Sequence, residues 1–313
     1  MARMERRLAK GKRLEEFNAL IKDNVDRGVF RKLSEKEIEE YKGPVNYISM
    51  VEAYKSGPHS TTPVRVCMNS SMKQPPPSGL SLNDCLMKGP SALADLYSVT
   101  LSLREHKVAF TKDISKFYQC VEADEMAQHV RRVLWRNGDS DREPDVYVTT
   151  SVNFGDRPAG CIAIAAVRET ASRYGTGKEE ATRFLKERTY VDDATGGGRN
   201  VEEAKRISEE MGEILQHGGF TFKETVMSGD PLGEDGELRK VLGLRWDTER
   251  DEICIDAKIN YGGKMKGAPL FPYADLDNPD ADLPKEITKR MLWRIAQGQY
   301  DPLGLVCAYM IRW

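Results

Sequence analysis

Apolar residues recur along this chain with two different periods, and the alternation between them outlines a mixed fold. Leu14, Phe17, Leu20, Ile21 and Val25 fall at the three-and-four spacing of a helix face, which Asp26-Arg27-Gly28 would end. Residues 43–79 are rich in Pro, Gly, Ser and Thr and read as loop around one or two strands. Within them Thr62-Pro63-Val64-Arg65-Val66-Cys67-Met68-Asn69 alternates as a strand does, and Pro75-Pro76-Pro77-Ser78-Gly79 is a stiff connector. Ser81 offers a cap before Cys85, Leu86 and Met87. Ser91 predicts the start of a second helix carrying Leu93, Leu96, Tyr97 and Leu101.

A strand at 106–112 then delivers Asp113. Segment 130–136 alternates apolar and basic residues, and 147–154 reads as a strand. Gly155-Asp156-Arg157-Pro158-Ala159-Gly160 leads into a helix of small residues over 161–173, which predicts that something, a bound base pair for instance, packs closely against it. Ala204, Ile207, Met211, Ile214 and Leu215 form an amphipathic stripe stopped by Gly218-Gly219. Strands follow at 220–222, 241–246 and 252–255, the last two pairing. Residues 262–285 read as loop and 286–297 as a helix. No internal repeat is present. Strands and helices in this order indicate an α+β fold rather than a doubly wound parallel sheet.

Composition narrows the function. The chain has 313 residues, 40% hydrophobic and 31% charged, enough for one large domain or two or three subdomains. A net charge of −2 excludes a generally basic nucleic-acid coat, so a polyanion would have to meet a local patch. Six of the first 13 residues are Lys or Arg, and this end would either lie against phosphates or form a solvated helix face. Six dispersed cysteines without a Cys-x-x-Cys pair, and four scattered histidines, speak for free thiols rather than a zinc site. No apolar run is long enough to span a bilayer, so no membrane partner and an intracellular location are expected.

The chemistry concentrates in Thr189-Tyr190-Val191-Asp192-Asp193-Ala194-Thr195-Gly196. Thr, Tyr and Val favour a strand, and glycines at 196, 197 and 198 allow the chain to turn and be approached closely. Adjacent carboxylates repel, and a divalent cation is the usual compensation. Side chains alternate along a strand, so both acids reach one ion only from a sharp hairpin; a solvated acidic turn is the other reading of such a pair. An Asp on a strand (Asp113), followed far downstream by Asp192-Asp193, matches a two-metal phosphoryl-transfer layout, in which carboxylates from different strands bridge two ions.

With these motifs the chain resembles the reverse transcriptase domain of BEL/Pao-type LTR retrotransposon polyproteins. Val64-Arg65-Val66-Cys67-Met68-Asn69-Ser70-Ser71 resembles the fingers strand, and Gly79-Leu80-Ser81-Leu82-Asn83-Asp84 with Gly89-Pro90 is a phrase of this group. Asp113-Ile114 with Tyr118 resembles polymerase motif A, and Phe154-Gly155 onward to Ala163 resembles motif B. Tyr190-Val191-Asp192-Asp193 resembles motif C, and His217-Gly218-Gly219-Phe220 motif D. Leu242-Gly243-Leu244-Arg245-Trp246-Asp247 is similar to the primer-grip hairpin. Thr288-Lys289-Arg290 and Tyr300-Asp301-Pro302-Leu303-Gly304-Leu305 resemble the segment beyond the polymerase.

The resemblance implies a right-hand palm and fingers polymerase with an antiparallel palm sheet and a partial thumb or connection. Its implied divisions are 1–42, an N-terminal helical and partly basic segment; 43–250, fingers and palm; and 251–313, a truncated thumb- or connection-like remainder. It implies RNA-directed DNA synthesis with two Mg²⁺ ions, Mn²⁺ being a substitute. The partners it implies are an RNA or DNA template with primer, dNTPs and the rest of the retroelement polyprotein. Location would be cytoplasmic, in retroelement particles, with access to the nucleus. Asp113, Asp192, Asp193 and Ile114 would hold the ions, the three acids being catalytic. Arg65 would hold the triphosphate, and Tyr118 would exclude a 2′-OH beneath the incoming sugar. Phe154 and Gly155 would admit the nucleotide, and Lys223, at a register open by one position, would protonate the leaving pyrophosphate. Leu242, Gly243 and Leu244 would grip the primer. A core aromatic at Tyr118, a solvated Arg65 and an exposed Lys223 are the plain alternatives.

Asn69 stands where an Asp is usual, and Gly160 replaces a motif B proline. Ala194-Thr195 stands where larger apolar residues are common. These departures suit the rival reading, a catalytically decayed, polymerase-derived nucleic-acid-binding protein. A metal-dependent phosphotransferase of another family is disfavoured by the fingers and primer-grip resemblances. No protease, ribonuclease H or integrase signature is present, and a fragment of a polyprotein stopping at Trp313 is expected.

Overall fold

Elements form where the sequence supplies a cap, an apolar face and a stop, and the site depends on a few of them. The computed structural model describes residues 1–54, 64–256, 264–265, 268–269 and 283–310, with single positions 259, 261 and 278. In chain order these form α1 (Ala2–Lys10), α2 (Leu14–Asp26), β1 (Phe30–Lys32), α3 (Glu35–Glu40), β2 (Ser49–Tyr54), β3 (Val64–Asn69), α4 (Leu82–Cys85) and α5 (Leu96–Ser102). Next come β4 (Val108–Ser115), a 3-10 turn (Phe117–Cys120), α6 (Glu125–His129), β5 (Val133–Trp135), β6 (Asp145–Thr149), α7 (Ala159–Tyr174), α8 (Glu179–Glu187), β7 (Thr189–Tyr190) and β8 (Asp193–Gly198). The chain continues with α9 (Val201–Gln216), β9 (Thr221–Met227), β10 (Arg239–Val241), β11 (Leu244–Asp247), β12 (Glu252–Cys254), β13 (Lys264–Met265), β14 (Ala268–Pro269), α10 (Lys289–Gln297) and α11 (Cys307–Met310).

These elements divide into two compact units. One comprises 1–93, 115–176 and 214–221. Its core joins Met4, Leu8, Phe17 and Ile21 of the first two helices to Phe30, Met50, Met68, Val133 and Trp135. The sheet β1-β6-β5 and the β2–β3 hairpin supply the strand side. Helix α1 is tied down by ion pairs Glu5–Arg136 at 3.1 Å and Arg7–Glu52 at 2.5 Å. Part of the basic N-terminal run is thus spent inside this unit.

The second unit comprises 94–114, 177–213 and 222–313 and holds a four-stranded sheet in the order β7-β8-β4-β9. Helix α9, which belongs to this unit up to Glu213 and to the first unit beyond it, buries Ala204, Ile207, Met211, Ile214 and Leu215, each fully enclosed, as the stripe predicts. A second antiparallel sheet, β10-β11-β12, contributes Val241, Leu242 and Trp246 to a cluster with Val99, Leu103 and Ala109. All six cysteines are free, and among the described residues no helix is long and apolar enough to cross a membrane.

Several sequence expectations are corrected. The helix expected from Ser91 begins at Leu96, because the Asp95 carboxylate accepts from Ser98 N–H at 2.9 Å and caps it there. Its buried positions are Val99, Thr100 and Ser102, while Leu93, Tyr97 and Leu101 are exposed. The strand at 147–154 ends at Thr149, and the alternating segment 130–136 holds a strand at Val133–Trp135. The single strand at 241–246 is two strands around a turn at Leu242-Gly243. Of the small residues of α7, Ala159, Ala163 and Ala171 are buried, while Ala165 and Ser172 are exposed. Thr170 takes up the space beside Gly218, where a Cβ would meet its Oγ1 at 2.4 Å. Residues 55–63, and most of the loop expected over 262–285, lie outside the described residues.

Gly196, Gly197 and Gly198 do not turn the chain; they lie inside β8. Close approach is their reason. A Cβ at 196 would sit 2.5 Å from Phe110 and Phe184, and one at 198 only 2.6 Å from the Ala204 backbone nitrogen. Backbone cannot swing aside as a side chain can. Gly198→Ala is therefore expected to cost about 1–3 kcal/mol in urea unfolding. Gly160→Ala, where nothing lies within 4 Å, should be neutral or stabilise by about 0.5–1 kcal/mol. Equal effects would remove the packing account.

Candidate active site

Only one residue in the Asp-Asp hairpin has a backbone that its side chain disfavours. Tyr190 pairs with Asp193 and Thr189 with Ala194, leaving Val191-Asp192 as a two-residue turn. Val191 has φ +58°, the left-handed region, where a β-branched residue is an outlier costing about 1–3 kcal/mol. The surroundings hold it: Ile114 N–H donates to the Asp192 carbonyl at 2.8 Å, and Thr195 N–H to the Arg188 carbonyl at 3.0 Å. The tight turn brings both acids to one end of the sheet.

Strand β4 supplies the third. Asp113 is directly opposite Asp193 in the antiparallel β4–β8 ladder, so the two carboxylates share a face. Burial raises the Asp193 carboxyl to about 6, with help from the charges of Asp192 and Asp113, against a lowering by Lys223. Asp192 is also raised, chiefly by burial, with a lesser push from Asp113. Lys223 of β9 places Nζ 2.8 Å from Asp113 Oδ1, at ion-pair distance but without hydrogen-bond geometry. That oxygen is buried and has no hydrogen-bond partner. Lys112, one residue earlier on β4, donates from Nζ to the Ser208 carbonyl at 2.8 Å and stands over the Phe222 ring. Burial lowers its amine to about 8.

This donor set fits a hard divalent cation. Carboxylate oxygens are what Mg²⁺ and Mn²⁺ take, burial and then the neighbouring charges raise two of the acids, and one oxygen of Asp113 lacks a hydrogen bond. Among the described residues no three His, Cys, Asp or Glu side chains already converge as a closed cage. The acids are therefore a pair across strands plus a neighbour on the turn.

The remaining predicted residues fall into two groups. Ile114, Lys223, Leu242, Gly243 and Leu244 belong to the unit that carries the acids. Arg65, Tyr118, Phe154 and Gly155 belong to the other. There Arg65 is exposed on β3 opposite Ala53, and Phe154 is 39% exposed. Gly155 has φ +104°, and a Cβ on it would meet the Met68 carbonyl oxygen at 3.1 Å, so glycine is required beside β3. Tyr118 is half-buried on the 3-10 turn, its ring edge-on to Phe117 at 5.1 Å.

Sequence reasoning missed what braces Gly155. Asn83 donates from Nδ2 to the Gly155 carbonyl and accepts from Arg157 N–H, both at 2.8 Å. Asp156 is buried between Ser70 Oγ and Arg131 Nε, each at 2.5 Å. The signal was a run of polar residues at positions the fold encloses, which spacing alone does not reveal.

No protein-family model matches the chain, and no curated protein matches it. Among solved structures, the foamy viral protease-reverse transcriptase dRH in complex with double-stranded DNA is similar over 90% of this chain, with a TM-score of 0.52 and 13% identity. The foamy viral protease-reverse transcriptase in complex with an RNA/DNA hybrid is similar over 68%, with a TM-score of 0.49 and 16% identity. The chain spans 38% and 23% of those two chains. Helices and antiparallel sheets are thus arranged in a reverse transcriptase-like fold.

The raised acid has a thermodynamic consequence. Asp193 ionises near 6 in the fold and near its ordinary 3.8 when unfolded. Between those values the folded state binds more protons, so stability falls as pH rises through that window, and the penalty is complete above it. In metal-free protein, Asp193→Asn should be more stable than the parent at pH 7.5, by about 1–3 kcal/mol, and equal to it below about pH 4. Urea titrations at the two pH values check this; an unchanged difference would refute it.

Proposed function

We propose that this chain is the RNA-directed DNA polymerase of a BEL/Pao-type retroelement, transferring a nucleotidyl group from a dNTP to a primer 3′-OH on an RNA or DNA template. The observation that carries the reading is the register Asp113 opposite Asp193, with Asp192 on the adjoining turn. Like charges directly opposed in a sheet are unfavourable, and a fold keeps them where a cation is used. The ordered motifs of the sequence and the reverse transcriptase-like fold support the same conclusion.

Asp113, Asp192 and Asp193 would hold the Mg²⁺ ions, with the Ile114 carbonyl beside them. When bound, the ions supply neutralisation of the triphosphate and activation of the primer hydroxyl. The chain's own residues bind and orient. Arg65 would meet the triphosphate, and the Gly155 backbone the nucleotide. Tyr118 would stand under the sugar, and Leu242 to Leu244 would position the primer strand. Lys223, whose Nζ lies 2.8 Å from Asp113 Oδ1, would donate to the leaving pyrophosphate. The rest of a retroelement polyprotein would be its covalent partner.

The Lys223–Asp113 ion pair favours one rival: an ammonium already neutralises one acid, as it would in a decayed, nucleic-acid-binding relative without turnover. Primer extension separates the two. Asp192→Asn should lower extension about 100-fold or more while primer–template binding stays near the parent's. Extension within tenfold of the parent would remove the two-metal assignment, and a parent without extension under Mg²⁺ or Mn²⁺ would establish the rival. Tyr118→Val should raise ribonucleotide incorporation relative to deoxyribonucleotide, and an unchanged ratio would take Tyr118 out of sugar discrimination.

A further inference from the structure

The phrase Tyr300-Asp301-Pro302-Leu303-Gly304 has no role in the chemistry described so far, yet it is built as a device. Asp301 uses both carboxylate oxygens, accepting from Leu305 N–H at 2.9 Å and Val306 N–H at 2.8 Å. Gly304 has φ +71°, which glycine adopts without strain, and its N–H donates to the Asp301 carbonyl at 3.2 Å. Pro302 fixes its own φ between them. The result is a rigid turn that holds out the preceding residue, Tyr300.

Tyr300 reaches the turn between β10 and β11. Its hydroxyl donates to the Leu242 carbonyl at 2.7 Å. Its ring lies against Gly243, where a Cβ would come within 2.7 Å of Cε1. Leu242 and Gly243 have φ +49° and +84°, the pattern of a type I′ turn, which favours Asn-Gly and disfavours leucine at the first position. Such strain persists only where neighbours over-determine it. Types I′ and II′ differ by a flip of the peptide between the two central residues, and the Leu242 carbonyl belongs to that peptide. The Tyr300 hydrogen bond selects one orientation. In a planar trans peptide the Gly243 N–H then points away from Tyr300.

The same turn reaches toward the acids. Leu242 packs in the cluster against which Tyr190, the residue before the Val191-Asp192 turn, is also packed. Burial raises the Tyr300 hydroxyl, and Tyr190 and Asp193 lie near enough to add to it.

We propose that Tyr300 is a positioning residue for the primer strand: its hydroxyl holds the Leu242–Gly243 peptide so that the Gly243 N–H meets a phosphate near the primer terminus. This rests on the polymerase reading. Backbone N–H groups commonly fix nucleic-acid register through phosphates, and one misoriented peptide would loosen it.

Tyr300→Phe in the full chain tests the idea, since it keeps the ring and removes only the hydroxyl. The KM for primer–template should rise about 3- to 10-fold, with the KM for dNTP and the melting temperature unchanged. Asp301→Asn, which loosens the turn but keeps the hydroxyl, should move the same constant less. A primer carrying one neutral methylphosphonate near its 3′ end should cost the parent a similar factor and cost Tyr300→Phe little more, a coupling that a general loss of packing would not produce. An unchanged primer KM in Tyr300→Phe, or losses that simply multiply at every methylphosphonate position, would overturn the proposal and leave the polymerase reading intact. A parent that extends no primer would overturn both.

Discussion

Two carboxylates facing each other across a sheet constrain everything around them. Asp113 and Asp193 are register partners, and neither strand can slip by one residue without sending its acid to the opposite face. The neighbours respect that register. Lys112, one residue from Asp113, points the other way and donates a hydrogen bond to the Ser208 carbonyl of α9, so the same strand pins the helix on one face and offers an acid on the other. Desolvation and repulsion then raise Asp192 and Asp193, and Lys223 partly offsets the charge at Asp113. The free energy stored in this pairing is what a bound cation would release.

Small residues let that pairing sit deep. Gly196 admits the rings of Phe110 and Phe184, and Gly198 admits the backbone of α9, so β8 lies closer to its neighbours than any side chain would allow. Ala194, also enclosed, stands where the resemblance implies a larger apolar residue. Close approach by Phe110, Phe184 and the α9 backbone fills the space around this strand.

What the sequence revealed followed physical type. Period and stop signals marked α2 and α9, whose apolar stripes are long and end at glycine. The hairpin placing Asp192 and Asp193 together was legible because only a sharp turn lets adjacent acids serve one site. Short elements were not legible: α8 has one turn and a half of apolar spacing in Ala181, Phe184 and Leu185, too little to stand out. At glycines 196–198 the expected close approach is present and the expected turn is not, because glycine serves turning and close packing alike and only tertiary neighbours decide between them. The polar braces Asn83, Asp156 and Arg131 were invisible, since a buried ion pair looks like surface charge until its burial is known.

Strain sits at corresponding places in the two hairpins. Val191 and Leu242 are apolar residues at positive φ, each beginning a two-residue turn where glycine, asparagine or aspartate would be relaxed. Each is held by a hydrogen bond from outside its own hairpin, Ile114 N–H at the carbonyl after Val191 and the Tyr300 hydroxyl at the carbonyl of Leu242. A relaxed residue would make either turn cheaper and leave its peptide freer to flip. At 242 a branched apolar residue instead couples the turn to the core beneath it, Leu242 being buried among Val99, Leu103 and Trp246. The cost in local strain therefore fixes the direction of the peptide groups at each tip, which the proposed alignment of a primer against the acids would require.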